Sequence, residues 1–197
     1  MIDKELEENI KMWLKENLLF KRYQHSLRVA NTCKKLAGIY GADGDKAYLA
    51  GLLHDIARTY TNDQLVQIVT ERDMPVDEAS LAQPILLHGP VGAEMAKEIF
   101  GVNDEEILSA IIEHTTAGAA MPLLNQLLFL ADMVEPKRDW EGVEKARALA
   151  PINKEKAICL CLDNKINWLI KYGRNIHPKA FEARDYYMEQ CIQKENK

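Results

Sequence analysis

Five histidines occur in this chain of 197 residues, and four of them share a setting. His25, His54, His88 and His114 each lie within, or at the end of, a stretch with the apolar spacing of a helix. His54 is followed directly by Asp55 inside "AGLLHDIAR", Ala50 to Arg58, among Ala, Leu and Ile. His88 stands between "PILL" and "GPVGAEM", and His114 ends "ILSAIIEH". A second aspartate, Asp132, belongs to "LLNQLLFLADMVEP", with Leu128 and Phe129 four and three residues before it on the same side of a helix. A carboxylate or an imidazole in apolar surroundings is unfavourable without a partner. One such residue is ordinarily a salt bridge or a cap; six in one chain are explained more simply by bound cations.

The donors are imidazole nitrogens and carboxylate oxygens, of intermediate hardness. They suit Fe, Mn, Co, Ni or Zn better than Ca or thiolate-bound Zn. Adjacent helical positions differ by ~100°, so His54 and Asp55 approach a metal from one rim of their helix. Asp55 has two oxygens with which to join two ions. Four His and two Asp are enough for two divalent transition metal ions with positions left for water. Two metals ~3.5–4 Å apart clamp a phosphate and the water that attacks it. Arg58, three residues after Asp55, and Arg138 are the matching phosphate candidates, because a guanidinium fork fits phosphate oxygens. Arg174 is placed either for a distal phosphate or to cap a helix. His177, before Pro178 at a helix start, is read as a nucleoside contact or a packing residue, not a metal ligand.

Helices must position these groups, and their signals run along the chain. Leu27, Ala30, Leu36 and Ala37 mark a helix over Lys21 to Tyr40, with His25 near its start, Arg28 on the same face and Gly41 as its stop. Asp43 caps the next, which is expected to include Leu49, Leu52, Leu53 and Ile56. Thr61 to Gln64 is a capping box. Pro90 fits the first turn of a helix through Phe100, with Gly101 ending it. Further helices are expected over about 104–114, 122–134, 154–172 and 178–192, punctuated by Pro136, Pro151 and Pro178. No alternating strand pattern, repeat or linker stands out, so the expected fold is all-α, one domain over 1–197.

Composition narrows the function. The formal charge of −5 argues against broad binding to nucleic acid or anionic membranes, which depends on Lys and Arg at phosphates. The segment "MIDKELEENIKMWLKENLLF" lacks the apolar core of a signal peptide, and no apolar run approaches the ~20 residues of a membrane span. Cys33, Cys159, Cys161 and Cys191 are read as reduced thiols of a cytoplasmic protein. Cys159 and Cys161 point to nearly opposite sides of a helix and share no metal.

The ordered set His25, His54-Asp55, His88, His114 and Asp132 resembles the HD-domain metal-dependent phosphohydrolases. "HSLRVA", "AGLLHDIAR", "HGPVGA", "EHTTAG", "LADMVEPKRDWEGV" and "IHPKAFEARD" are similar to the YqeK-type symmetrical bis(5'-nucleosyl)-tetraphosphatases, over roughly residues 5–190. The resemblance implies a helical bundle of the HD type. Its metal-site core would span about 18–135, and C-terminal helices over 153–192 would complete a nucleotide pocket. It implies two metals, with iron foremost. His25, His54, Asp55 and Asp132 would hold one, and His88 and His114 the other, sharing Asp55. It implies cleavage of diadenosine tetraphosphate into two ADP by a hydroxide bridging the metals, with His54, Asp55 and Arg58 catalytic. Arg58, Arg138, Arg174, Asn175, Ile176 and His177 would contact the nucleotide substrate. The sequence leaves the oligomeric state open, a homodimer being one assembly compatible with it. Competing readings are another HD phosphohydrolase, a nucleotidase or phosphodiesterase, and a nucleotide-sensing module without turnover. Two departures stand out. Ala117-Gly118 follows His-Thr-Thr where the family has Gly and often a basic residue. Ala183-Arg184-Asp185 replaces Ala-Arg-Asn.

Overall fold

A computed structural model describes residues 3–195. Asp3 caps α1 (Lys4–Asn17) by accepting from the Glu5 N–H. Leu18 and Leu19 turn the chain into α2 (Phe20–Tyr40), which stops at Gly41 in the left-handed conformation, φ 71°. Asp43 caps α3 (Gly44–Leu53) through the Asp45 and Lys46 amides. A 3-10 turn, Ile56–Thr59, leads to α4 (Asn62–Glu71), whose Thr61–Gln64 capping box is formed in both directions. The one-turn α5 (Glu78–Leu81) and a 3-10 turn, Pro84–Leu87, lead to α6 (His88–Phe100), which Gly101 ends at φ 66°. Pro90 lies in its first turn, where no intrahelical N–H is lost. Then follow α7 (Glu105–Glu113), capped by Asp104, α8 (Leu123–Val134), α9 (Val143–Leu149), α10 (Lys154–Lys171) and α11 (Pro178–Glu195). Among the described residues there is no strand, so the fold is all-α as expected.

α8 is the central element. Leu124, Leu127, Leu128, Phe129, Leu130, Ala131 and Val134 are all buried, and α8 touches α2, α3, α7, α9 and α10. A helix apolar on nearly every side has to be surrounded. α3 folds back along α2, and Gly51 sets their separation: a Cβ there would lie 2.5 Å from Ala30 Cα. Gly89 does the same between α6 and α7, where a Cβ would meet the Ile112 carbonyl oxygen at 2.6 Å. The first contact draws α3 against α2 and the second α6 against α7, each close to histidines that those helices carry. No described helix is long and apolar enough to cross a membrane, and all four cysteines are free thiols.

The expected α3 is corrected at its end. Ile56 is not part of it; the helix stops at Leu53, and Asp55 sits at φ −108°, ψ 15° before the 3-10 turn. His54 and Asp55 are therefore not successive rungs of a helix rim. The break directs both side chains inward from the same point. Helices α1, α5 and α9 add to the stretches expected from the apolar spacing.

Candidate metal centre

Three of the four histidines close a turn. His54 is the C-cap of α3, His88 follows the Pro84–Leu87 turn, and His114 is the C-cap of α7. The last carbonyls of a helix lack an intrahelical N–H, and each imidazole folds back onto one. His54 Nδ1 lies 2.8 Å from the Gly51 oxygen and His114 Nδ1 2.6 Å from the Ile111 oxygen. His88 Nδ1 bonds the Ile85 oxygen in the same way. His25, inside α2, instead sets Nδ1 3.1 Å from Glu135 Oε1. A carbonyl or carboxylate partner puts the proton on Nδ1 and leaves Nε2 as a lone pair.

These lone pairs converge. The ring centres form a chain, 5.3 Å from His25 to His54, 5.0 Å from His54 to His114 and 5.0 Å from His114 to His88. His25 Nε2 lies 2.9 Å from Asp132 Oδ1, and His54 Nε2 3.4 Å from Asp55 Oδ2. His88 Nε2 lies 3.2 Å from Asp55 Oδ1 and 3.1 Å from His114 Nε2. The donors of His25, His54 and Asp55 all lie within 4.8 Å of one another, and so do those of Asp55, His88 and His114. Asp55 belongs to both groups, one oxygen toward each. All six sequence-predicted ligands are thus brought together. Asp132 is less enclosed than expected, with its side chain 20% exposed.

Divalent metal ions fit this arrangement, and these His/Asp groups could hold them. His25 Nε2 and His54 Nε2 are buried with no hydrogen-bond partner. With each Nδ1 already turned to a carbonyl, the Nε2 atoms of His88 and His114 face each other 3.1 Å apart. Acceptor against acceptor at such separations calls for a cation between them. Burial pushes the His114 pKa down to about 3, so its ring is neutral and ready to ligate. Burial alone would raise Asp55, but His54 and His88 outweigh it and hold the carboxyl well below its ordinary range. Asp132 behaves likewise: burial raises it, while the adjoining His25 ring and the Arg138 charge outweigh this and hold it well below its ordinary range.

Cations surround the donors. A cavity of about 180 Å³ is lined by Asp55, His88, His114 and Asp132 together with Arg22, Arg58, Arg138 and Lys165. Arg22 bonds Asp55 Oδ2 at 2.7 Å. Arg138 grips Asp132 twice, at the carbonyl (2.7 Å) and at Oδ1 (2.5 Å). Arg58 and Arg138 both line the cavity that the donors share. Arg174, Asn175, Ile176 and His177 do not line this cavity. Arg174 and Asn175 are exposed, whereas His177 is buried, with Nε2 3.0 Å from Asp77 Oδ1 and 3.3 Å from Ser80 Oγ. A second cavity, about 410 Å³, takes Asp77 and Ser80 into its wall and shares Leu86 and Thr115 with the first.

Sequence reasoning missed Arg22, Glu135 and Lys165. Glu135 is buried, receives both Arg28 Nε (2.6 Å) and Nη2 (3.2 Å), and fixes the His25 ring. Its signal was present: it stands one helical turn after Asp132, as Arg22 stands one turn before His25. Ala117 takes φ 59°, a left-handed conformation that disfavours a side chain. That is a physical reason for the glycine usual at this place in the resembling family.

The comparisons agree with the geometry. Residues 22–137 match the HD domain family model. Over 165 residues the chain is 39% identical to a symmetrical bis(5'-nucleosyl)-tetraphosphatase of Halalkalibacterium halodurans, covering 84% of this chain and 88% of that one. Over 182 residues it is 38% identical to the symmetrical bis(5'-nucleosyl)-tetraphosphatase of Staphylococcus aureus, covering 91% and 93%. The crystal structure of an HD superfamily hydrolase from Clostridium acetobutylicum, described as involved in NAD metabolism, superposes with a TM-score of 0.88 at 37% identity, over 93% of this chain and 97% of that one. With four imidazoles and two carboxylates gathered in one cluster and this likeness along nearly its whole length, the chain belongs to the HD domain family and, within it, to the symmetrical bis(5'-nucleosyl)-tetraphosphatases.

Proposed function

We propose that this protein hydrolyses diadenosine tetraphosphate and related dinucleoside polyphosphates at the central anhydride, releasing two nucleoside diphosphates. The observation that carries the reading is two groups of inward-facing donors, joined through Asp55, on a cavity walled by four cations. His25, His54, Asp55 and Asp132 would hold one divalent ion, and His88, His114 and the second oxygen of Asp55 the other. Iron is the first choice, and Mn, Co, Ni or Zn suit the same donors. Ions held there supply an acidified water and neutralise charge on phosphoryl oxygens.

The chain's own groups do the rest. His54 and Asp55 fix the donor geometry, since the helix break leaves neither free to turn. Arg58 lines the cavity, and burial, together with Arg22, lowers its pKa. Its fork is available to a phosphate oxygen, where charge-assisted hydrogen bonds are strongest. Arg138, held by Asp132, is oriented before substrate arrives. The second cavity is of a size for a nucleoside. His177 anchors the segment Arg174–Ile176 to its wall through Asp77 and Ser80, which supports these residues as contacts to the nucleoside half. In this reading the helices over 153–192 complete the nucleotide pocket of a single HD domain.

Metal analysis and product chromatography on one chelator-free preparation test the proposal. Two ADP per dinucleotide is the expected result. ATP plus AMP, or action on mononucleotides alone, would assign a different HD phosphohydrolase. Binding without turnover in the metal-loaded protein would assign a sensing module. Four free thiols support a cytoplasmic setting, and the net charge of −5 supports a small nucleotide partner over nucleic acid. Exposed Trp168 and Tyr172, whose ring centres lie 4.9 Å apart, offer a surface that a second copy would cover in a homodimer; sedimentation at several concentrations tests it.

A further inference from the structure

Helix α10 buries Ile158, Cys161, Leu162 and Ile166. Lys165 stands in that stripe, one turn after Cys161 and Leu162. An ammonium in such a place is unfavourable unless its hydrogens and its charge are both met. Its Nζ donates to the carbonyl oxygen of Thr115, the residue after His114. It also lies 5.9 Å from the centre of the Phe129 ring. Neither partner carries a negative charge. Burial pushes the Lys165 pKa down, and only the more distant Asp132 and Cys161 oppose this.

The other cations of the cavity sharpen the contrast. Arg22 and Arg138 are spoken for by Asp55 and Asp132. Among the described residues, neither Arg58 nor Lys165 forms an ion pair. The loop after His114 offers no cation of its own, since Ala117 and Gly118 follow Thr116. Lys165 reaches across from α10 to the root of that loop and puts a positive charge there. An ammonium has three hydrogens, and the Thr115 carbonyl takes one.

We propose that Lys165 is a phosphate-binding residue of the metal cleft. It keeps one hydrogen on Thr115 and gives the others to non-bridging oxygens of the bound polyphosphate beside His114. The assignment rests on the cavity being a polyphosphate site, as proposed above, and it ties α10 directly to the substrate. A side chain that served only to hold the Thr115 carbonyl would need a donor but no charge. The partly desolvated setting strengthens each contact to phosphate.

The test compares metal-loaded wild type with Lys165→Gln, Lys165→Met and Lys165→Arg. Calorimetry reads inorganic pyrophosphate binding, and steady-state kinetics read diadenosine tetraphosphate turnover. Lys165→Gln keeps a donor for Thr115 and removes the charge. Its pyrophosphate Kd and its KM rise about tenfold or more, with metal content as in wild type. Lys165→Arg recovers part of the affinity. Lys165→Met melts no lower than wild type, because an unneutralised charge leaves the interior. An unchanged pyrophosphate Kd in Lys165→Gln overturns the assignment, as does a loss of metal large enough to account for the weaker binding. If wild type makes no ADP but the variants still bind pyrophosphate more weakly, the proposed reaction falls and the Lys165 assignment stands. If ADP forms and both constants hold in Lys165→Gln, the reverse is true.

Discussion

At the scale of single residues, the centre is organised by what lies behind each imidazole. His54, His88 and His114 use carbonyls that a helix end has already freed. His25 has no such carbonyl in mid-helix and uses Glu135, which Arg28 holds in place. Groups behind metal ligands typically change metal affinity 10–100-fold. Glu135→Gln is therefore expected to weaken metal binding by about that factor, measured by competition with a chromophoric chelator; an unchanged affinity would detach Glu135 from the site. His88→Ala removes a donor from one group only. It should leave about half of the bound metal and lower turnover by roughly 10² or more, read by elemental analysis and ADP release. Full metal content in that variant would sink the two-group reading. Most of these donors were legible in the sequence because a polar group in an apolar helical stretch is conspicuous. Glu135 carried a fainter signal, its place one helical turn after Asp132. Lys165 carried none, because its surroundings are supplied by other helices.

At the scale of elements, close backbone approach decides where the donors meet. Gly51→Ala places a Cβ 2.5 Å from Ala30 Cα, in a contact between two helices that cannot easily part. It should destabilise the fold by about 1–3 kcal/mol and also weaken metal binding, since the Gly51 carbonyl orients His54. Thermal melts with and without metal check both effects, and a variant as stable as wild type would refute the contact. Ala120 is an exposed residue at φ 52°, where a Cβ is strained and contributes no buried surface. Ala120→Gly is expected to stabilise by about 0.5–1 kcal/mol, seen as a higher denaturant midpoint. Caps and stops such as Asp43, Gly41, Thr61–Gln64 and Gly101 were readable from local chemistry. The end of α3 was not: apolar spacing continues through Ile56, but the helix yields at Leu53 to a cluster formed by distant segments.

At the scale of the whole molecule, the centre sets lone pairs against lone pairs and gathers two carboxylates beside them, so metal should stabilise the fold as well as serve chemistry. At a hundredfold excess over Kd, each bound ion contributes about 2.7 kcal/mol, or roughly 5–10 °C in Tm for a chain of this size. Chelation should lower Tm by that order and readdition of Mn(II) should restore it; a Tm indifferent to both would argue that no ion occupies the centre. By itself the sequence determined the all-α class, most helix limits and the six metal-donor candidates, because helix periodicity, caps and misplaced polar groups are local signals. Only the tertiary structure decided that Asp55 faces both donor groups, that Glu135 backs the His25 ring while Lys165 lines the cavity, and that His177 turns toward Asp77 and Ser80 instead. Those outcomes depend on which helix ends are packed against one another, and that is settled by burial summed over the whole chain, which no short stretch contains.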